Sequence, residues 1–202
     1  MNAVIKAIDS ISSYSYKNKT KLDSIKKQYD ALKEKRLFHY VTNADVLDKV
    51  YQYVNGIDRF LEKTEKIGKV NLTKTVKIQR ARKAYDSLNE QQKKEDAVQK
   101  AFQILSKAET KLKDAKTADN VVQAIKALGE IVTLDSEEDI ESVRAAYESL
   151  TDSQKTFVTN IDKLKEQEDG LKKLQQQEEN KEAARKVSDL IDQIGRVAAN
   201  SA

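Results

Sequence analysis

A pattern of four residues at offsets 0, 3, 7 and 10, with tyrosine always third, occurs three times in this 202-residue chain. It reads Leu22, Ile25, Tyr29, Leu32, then Ile78, Ala81, Tyr85, Leu88, then Ile140, Val143, Tyr147, Leu150. Spacings of three and four trace one stripe of an α-helix, so each copy predicts an amphipathic helix whose tyrosine faces a core and whose hydroxyl reaches the surface. A cation precedes each tyrosine by three residues (Lys26, Arg82, Arg144) and an acid follows it by one (Asp30, Asp86, Glu148). These predict solvated i, i+4 ion pairs worth ~0.3–0.5 kcal/mol each. Self-similarity at this period marks a repeat protein, whose units bury their apolar faces against neighbours.

The flanks repeat as well. Val121, Ile125, Leu128 and Gly129 match Val187, Ile191, Ile194 and Gly195, and also Val4, Ile8, Ile11 and Ser12, while Ile67, Gly68 and Val70 match the end of the pattern. This predicts a helix before each tyrosine helix, with Gly68, Gly129 and Gly195 as left-handed C-caps. Ser136 and Asp139 form a near-variant of a capping box for the third tyrosine helix, and Thr151 with Gln154 caps a short turn after it. Val41-Thr42-Asn43 matches Val158-Thr159-Asn160, placing Asn43 and Asn160 as N-caps of a third helix. The middle unit has Asn89-Glu90-Gln91-Gln92 and lacks the Val-Thr-Asn motif, which leaves its turn unassigned.

No proline occurs, where an average chain of this length has roughly ten, and only Gly56 and Gly170 interrupt the long helical patterns from Asn43, Gln91 and Asn160. An interior glycine costs ~1 kcal/mol, which a long helix absorbs. The expected fold is therefore all-α: tandem three-helix bundles joined by shared long helices, a spectrin-like elongated rod. The expected divisions are repeat 1 at 3–56, repeat 2 at 57–117, repeat 3 at 118–180 and the start of a truncated fourth repeat at 181–202.

The string from Arg144 to Lys155 (Arg-Ala-Ala-Tyr-Glu-Ser-Leu-Thr-Asp-Ser-Gln-Lys), followed by Val158-Thr159-Asn160 and Leu164, resembles a helical repeat of exported Gram-positive bacterial proteins. These include S-layer and wall-associated proteins, and large secreted enzymes that carry such repeats as accessory modules. The resemblance is strongest in the third unit, moderate in the first and confined to the tyrosine helix in the second. It implies an extracellular, cell-wall setting and a role as spacer, assembly or wall-attachment segment. The partners it implies are a secondary cell-wall polymer or neighbouring surface-protein subunits. The alternatives are an adhesin-like module recognising a partner protein, or an accessory module of a large secreted enzyme.

Composition narrows the chemistry. Without cysteine there is no disulfide, thiol nucleophile or thiolate metal site, and the single His39 leaves no histidine pair. His39, between Phe38 and Tyr40, reads as a turn residue. The acids Glu137, Glu138, Asp139 and Glu141 complement a helix dipole and are spread around its circumference, so no metal site is expected. No glycine-rich phosphate loop exists, and no nucleophile converges with an acid–base pair, so neither cofactor nor enzymatic activity is expected. Basic residues interleave with acids almost one for one, which disfavours nucleic acid. No apolar run approaches the ~20 residues that span a bilayer, and the N-terminal residues lack a signal peptide's apolar core.

Charge and aromatics are nevertheless uneven. Residues 1–60 carry 11 basic and 7 acidic side chains, whereas 136–202 carry 10 and 15; eight of the twelve aromatics lie in the first 60 positions. Tyr14 and Tyr16 precede Lys17, Lys19, Lys21, Lys26 and Lys27. Rings beside flexible cations suit a charged wall glycan, the rings stacking on sugar and the ammonium groups meeting its anions. These seven residues form the expected glycan contact. The competing reading has Tyr14 capping a bundle end and the lysines forming a solvated face.

Overall fold

The computed structural model describes residues 2–11 and 13–200, with side chains as far as 194. Its α-helices are α1 (Asn2–Asp9), α2 (Lys19–Glu34), α3 (Ala44–Glu65), α4 (Thr75–Asp86), α5 (Glu90–Lys93), α6 (Asp96–Ala127), α7 (Glu137–Glu148), α8 (Asp152–Lys155) and α9 (Ile161–Asn200). No strand occurs among the described residues, and the fold is all-α. The chain divides into two units, Met1–Lys113 and Asp114–Ala202.

In the first unit, α1, α2 and α3 pack on one another. Val4 and Ile8 of α1, Leu22, Ile25 and Tyr29 of α2, and Leu47 and Val50 of α3 are buried there. Farther along, α3 buries Ile57 and Phe60 in the same continuous core as Ile78 and Ala81 of α4 and Val98 and Leu105 of α6. The second unit has its own core: Ala118, Val121 and Ile125 of α6, Ile140 and Val143 of α7, and Leu164 and Leu171 of α9. Complete burial of such an aliphatic side chain is worth ~1.5–3 kcal/mol, several times an exposed ion pair, so the stripes decide the packing.

Arg82 of α4 donates Nε to Glu109 Oε1 of α6 at 2.7 Å and Nη2 to Oε2. Arg144 of α7 does the same to Glu168 of α9, with both bonds at 2.5 Å. The intrahelical pairs Lys26–Asp30, Arg82–Asp86 and Arg144–Glu148 also exist, at 3.4, 3.8 and 3.4 Å. The arginines thus have a second, interhelical and two-pronged partner that heptad-like spacing within one helix does not disclose.

Several caps differ from expectation. Gly68 is left-handed (φ 63°), as its place at a helix end requires, but it is the only glycine with positive φ among the described residues. The end of α6 is closed instead by Lys163, whose Nζ donates to the carbonyls of Lys126 (3.1 Å) and Leu128 (2.5 Å), so Gly129 need not turn left-handed. Gly195 caps nothing, because α9 runs on to Asn200. Ser12 lies outside the described residues.

Ser136 does not cap α7; its hydroxyl accepts from Thr133 N in a box around the preceding 3-10 turn. Asn43 stands at the N-cap position of α3 without a side-chain cap bond, and Asn160 likewise turns its amide elsewhere. Their Nδ2 groups donate to the main-chain carbonyls of Ile5 (2.9 Å) and Val122 (3.0 Å), tying the third helix of a repeat to its first. The Oδ1 of each is buried without a partner, a shared cost of that tie.

The middle unit's turn is α5, closed by a reciprocal capping box between Asn89 and Gln92, the same device as Thr151 and Gln154 around α8. Gly56 and Gly170 do not break their helices. Each leaves room for a neighbour: a Cβ on Gly56 would lie 2.6 Å from Gln92 Nε2, and one on Gly170 3.2 Å from Val132.

Candidate functional site

The seven residues expected to hold a glycan are divided among three surroundings. Tyr16 and Lys19 are engaged internally. The Tyr16 hydroxyl and the Lys19 ammonium both donate to Asp58 Oδ1 of α3 at 2.6 Å, and Tyr16 N donates to Glu95 Oε1 at 2.8 Å. Burial, reinforced by the Asp58 carboxylate, pushes the Tyr16 hydroxyl above its ordinary value, and the ammonium's own hydrogen bond to Asp58 raises Lys19. This cluster bolts the link between α1 and α2 to α3 and to the residue before α6.

Lys26 and Lys27 line an open depression of about 470 Å³, where Asp23, Asp30 and Glu34 surround them. Lys26 also lies 4.9 Å from the Tyr51 ring centroid. The cations there are balanced by carboxylates, so this depression has little net attraction for an anion. Lys17 and Lys21 are exposed. His39 is exposed in a 3-10 turn, its ring 4.1 Å from that of Tyr40.

Tyr14 belongs to a different place. It lines an open groove of about 590 Å³ with Lys49, Gln52, Arg59, Asn89 and Gln91, over a floor that includes Tyr53 and Gly56. Tyr14 is 37% exposed and meets Tyr53 edge-on, centroids 5.7 Å apart. Its carbonyl accepts from Gln91 Nε2 at 3.0 Å. Tyr53 is held twice, by its hydroxyl donating to Glu95 (3.1 Å) and by its carbonyl accepting from Gln92 Nε2 (2.7 Å). Burial, then Glu95, pushes the Tyr53 hydroxyl well above the ordinary tyrosine value. The groove exists because Gly56 lets Gln92 enter against α3.

Compared with known protein families, curated proteins and solved structures, the chain matches none of them. The site is therefore read from its chemistry alone. Among the described residues, no group of three His, Cys, Asp or Glu is placed to hold a metal ion, and no helix is long and apolar enough to cross a membrane. What the groove offers is one aromatic face, side-chain amides and cations on a rigid support.

Of the residues lining this groove, the sequence singled out Tyr14 and not Tyr53, Arg59, Asn89 and Gln91, because these come together only when α3 and the α5 turn pack. One signal was present: Gln92 follows Asn89 by three residues as Gln154 follows Thr151, at the 62-residue shift of the tyrosines.

Proposed function

We propose that this chain is a non-enzymatic structural and interaction module of a bacterial cell-surface protein, a spacer or wall-attachment segment of tandem three-helix bundles joined by shared helices. The observation that carries this reading is helix sharing. Helix α3 packs with α1, α2 and α4, and α6 supplies residues to both hydrophobic cores. In a repeat array each unit contacts mainly its neighbours, and length becomes its useful property. A glycan contact in the first unit would attach such a rod to the wall.

Small-angle scattering of the purified chain tests the proposal. An elongated particle is expected, and a globule of the radius a 202-residue ball requires would remove it.

A second reading has its own observation. On α9, Val187, Leu190, Ile191 and Ile194 are 57–70% exposed along one stripe, while the matching Val4, Ile8, Ile11 and Val121, Ile125, Leu128 are all under 9%. This favours a helical protein partner on that face, as in an adhesin-like module.

A further inference from the structure

We infer that the groove beside Tyr14 and Arg59 is a binding site for a carboxylate-bearing saccharide, such as a uronic acid unit of an anionic glycan. The inference rests on the surface-module reading above and moves its ligand contact away from the lysine-rich segment.

The first argument is charge. None of the residues lining the groove is acidic, whereas three acids line the depression at Lys26 and Lys27. Lys49 is paired with Asp45 at 3.1 Å, but Arg59 is exposed and has no ion pair among the described residues. An unpaired guanidinium presents the planar fork that fits a carboxylate. Gln52 makes no hydrogen bond among the described residues. Asn89 spends its Oδ1 on the α5 cap, leaving Nδ2 as a donor.

The second argument is shape. Tyr14 is an exposed ring braced edge-on by a fixed second ring, so a sugar stacking on it meets a platform that is already ordered. The volume falls within the ~300–1,000 Å³ of ordinary ligand clefts.

The third argument comes from the second unit, where the same turn is already filled. At the 62-residue shift, Ser153 and Gln154 stand where Gln91 and Gln92 do. Ser153 Oγ (2.7 Å) and Gln154 Nε2 (3.4 Å) both donate to the carboxylate of Asp114. At the 61-residue shift that pairs Gly68 with Gly129, Asp114 corresponds to Tyr53, while Gln52 and Arg59 correspond to Lys113 and Asn120. The second unit thus supplies a carboxylate to this turn from its own helix. The first unit has the Tyr53 ring in place of that carboxylate, and farther along the same helix the cation Arg59 lines the groove, the complement of an acidic sugar arriving from outside.

The test is an NMR titration of the full chain with a galacturonic acid trimer, with a neutral galactose trimer and with inorganic phosphate as separate arms. Expected are saturable shifts at Tyr14, Gln52, Arg59 and Asn89 with the acidic trimer, and at least tenfold weaker binding of the neutral trimer and of phosphate. Arg59→Gln and Tyr14→Ala should each weaken the acidic trimer at least tenfold, while the triple replacement of Lys17, Lys21 and Lys27 by Gln changes it less than threefold. Both groove residues are exposed, so circular dichroism identical to wild type is expected for their variants. Unaltered affinity in Arg59→Gln, equal binding of the neutral trimer or of phosphate, shifts confined to the lysines, or no binding at millimolar trimer would each overturn the site. Any of these alongside an elongated scattering profile leaves the spacer reading standing. A globular profile alongside groove binding has the reverse meaning.

Discussion

The tyrosine helices of the two units use one motif in different ways. On α7, Arg144 lies 5.5 Å from the Tyr147 ring centroid while its edge forks onto Glu168, and Tyr147 stays half-buried beneath that cover. On α2, Lys26 occupies the corresponding place and approaches Tyr51 of α3, and Tyr29 is only 6% exposed. A guanidinium can cover a ring and hold a carboxylate at once because its donors lie in the plane of its charge; a lysine ammonium is a single point and does one or the other. So the same stripe produces in α2 a buried ring with the Lys33 ammonium 4.8 Å from its centroid, and in α7 a half-buried ring under a guanidinium that also holds a carboxylate. Helix α4 sides with α7 despite belonging to the first unit, since Arg82 covers Tyr85 and forks onto Glu109.

The largest expected effect breaks this comparison directly. Tyr29→Ala empties a buried position and should cost about 3 kcal/mol, whereas Tyr147→Ala removes a half-exposed ring and should cost roughly half as much. Urea unfolding of the two variants measures both. Equal losses would mean that the charged cover contributes as much as burial, and the distinction would collapse.

Alkaline pH separates the units next. Tyr16 and Tyr53, both in the first unit, have hydroxyls raised above the ordinary value of 10.0, Tyr16 by burial and Asp58, Tyr53 by burial and Glu95. The folded state holds these protons after the unfolded chain has released them. Their stabilisation is therefore complete below pH 10 and is lost as pH rises through the folded-state values. Thermal unfolding followed by circular dichroism should show stability falling between pH 9 and pH 11, with a shallower fall in Tyr53→Phe. A slope unchanged by that substitution would detach the Glu95 cluster from the stability of the first unit.

A smaller effect tests the fork. Arg144→Lys keeps the charge but loses one of two parallel bonds and the flat cover, at about 1 kcal/mol, since both partners are partly exposed and screened. Lys26→Arg gains no glutamate across the helix pair, because Tyr51 is there, and should change stability by less than ~0.5 kcal/mol. If the α2 substitution stabilised as much as the α7 one destabilised, the ring partner would be immaterial.

Legibility followed the range of the interactions. The stripes, the all-helical class and the long helices were readable because an amphipathic pattern is local and proline is absent. The Thr151–Gln154 box was readable for the same reason. Gly129 was misread because a lysine 34 positions later closes that helix, and Asn43 and Asn160 because their amides serve a carbonyl on another helix. The seven residues of the expected glycan contact lie in different surroundings for a related reason. Consecutive lysines on a helix diverge, and Tyr16 with Lys19 found Asp58, 42 and 39 residues away. The groove that Tyr14 does line depends on the absence of a Cβ at Gly56, which in one dimension looks only like a weak spot in a helix.

The smallest expected effect concerns how the tyrosine helices end, where the units differ again. Helices α4 and α7 are each followed within four residues by a boxed turn, but α2 closes with a Schellman arrangement. Leu37 N donates to Leu32 O at 2.8 Å and Arg36 N to Lys33 O at 2.9 Å, with Arg36 left-handed at φ 56°. A side chain at that position costs ~1 kcal/mol or more relative to glycine, partly offset by glycine's greater freedom in the unfolded chain. Arg36→Gly should therefore stabilise the chain by about 0.5 kcal/mol, read as a higher urea midpoint at unchanged slope. The arginine is exposed, so no packing is lost with it. A lower midpoint would show that the Arg36 side chain makes a contact stronger than the strain it carries, and the end of α2 would then owe its form to that contact instead of to the backbone bonds.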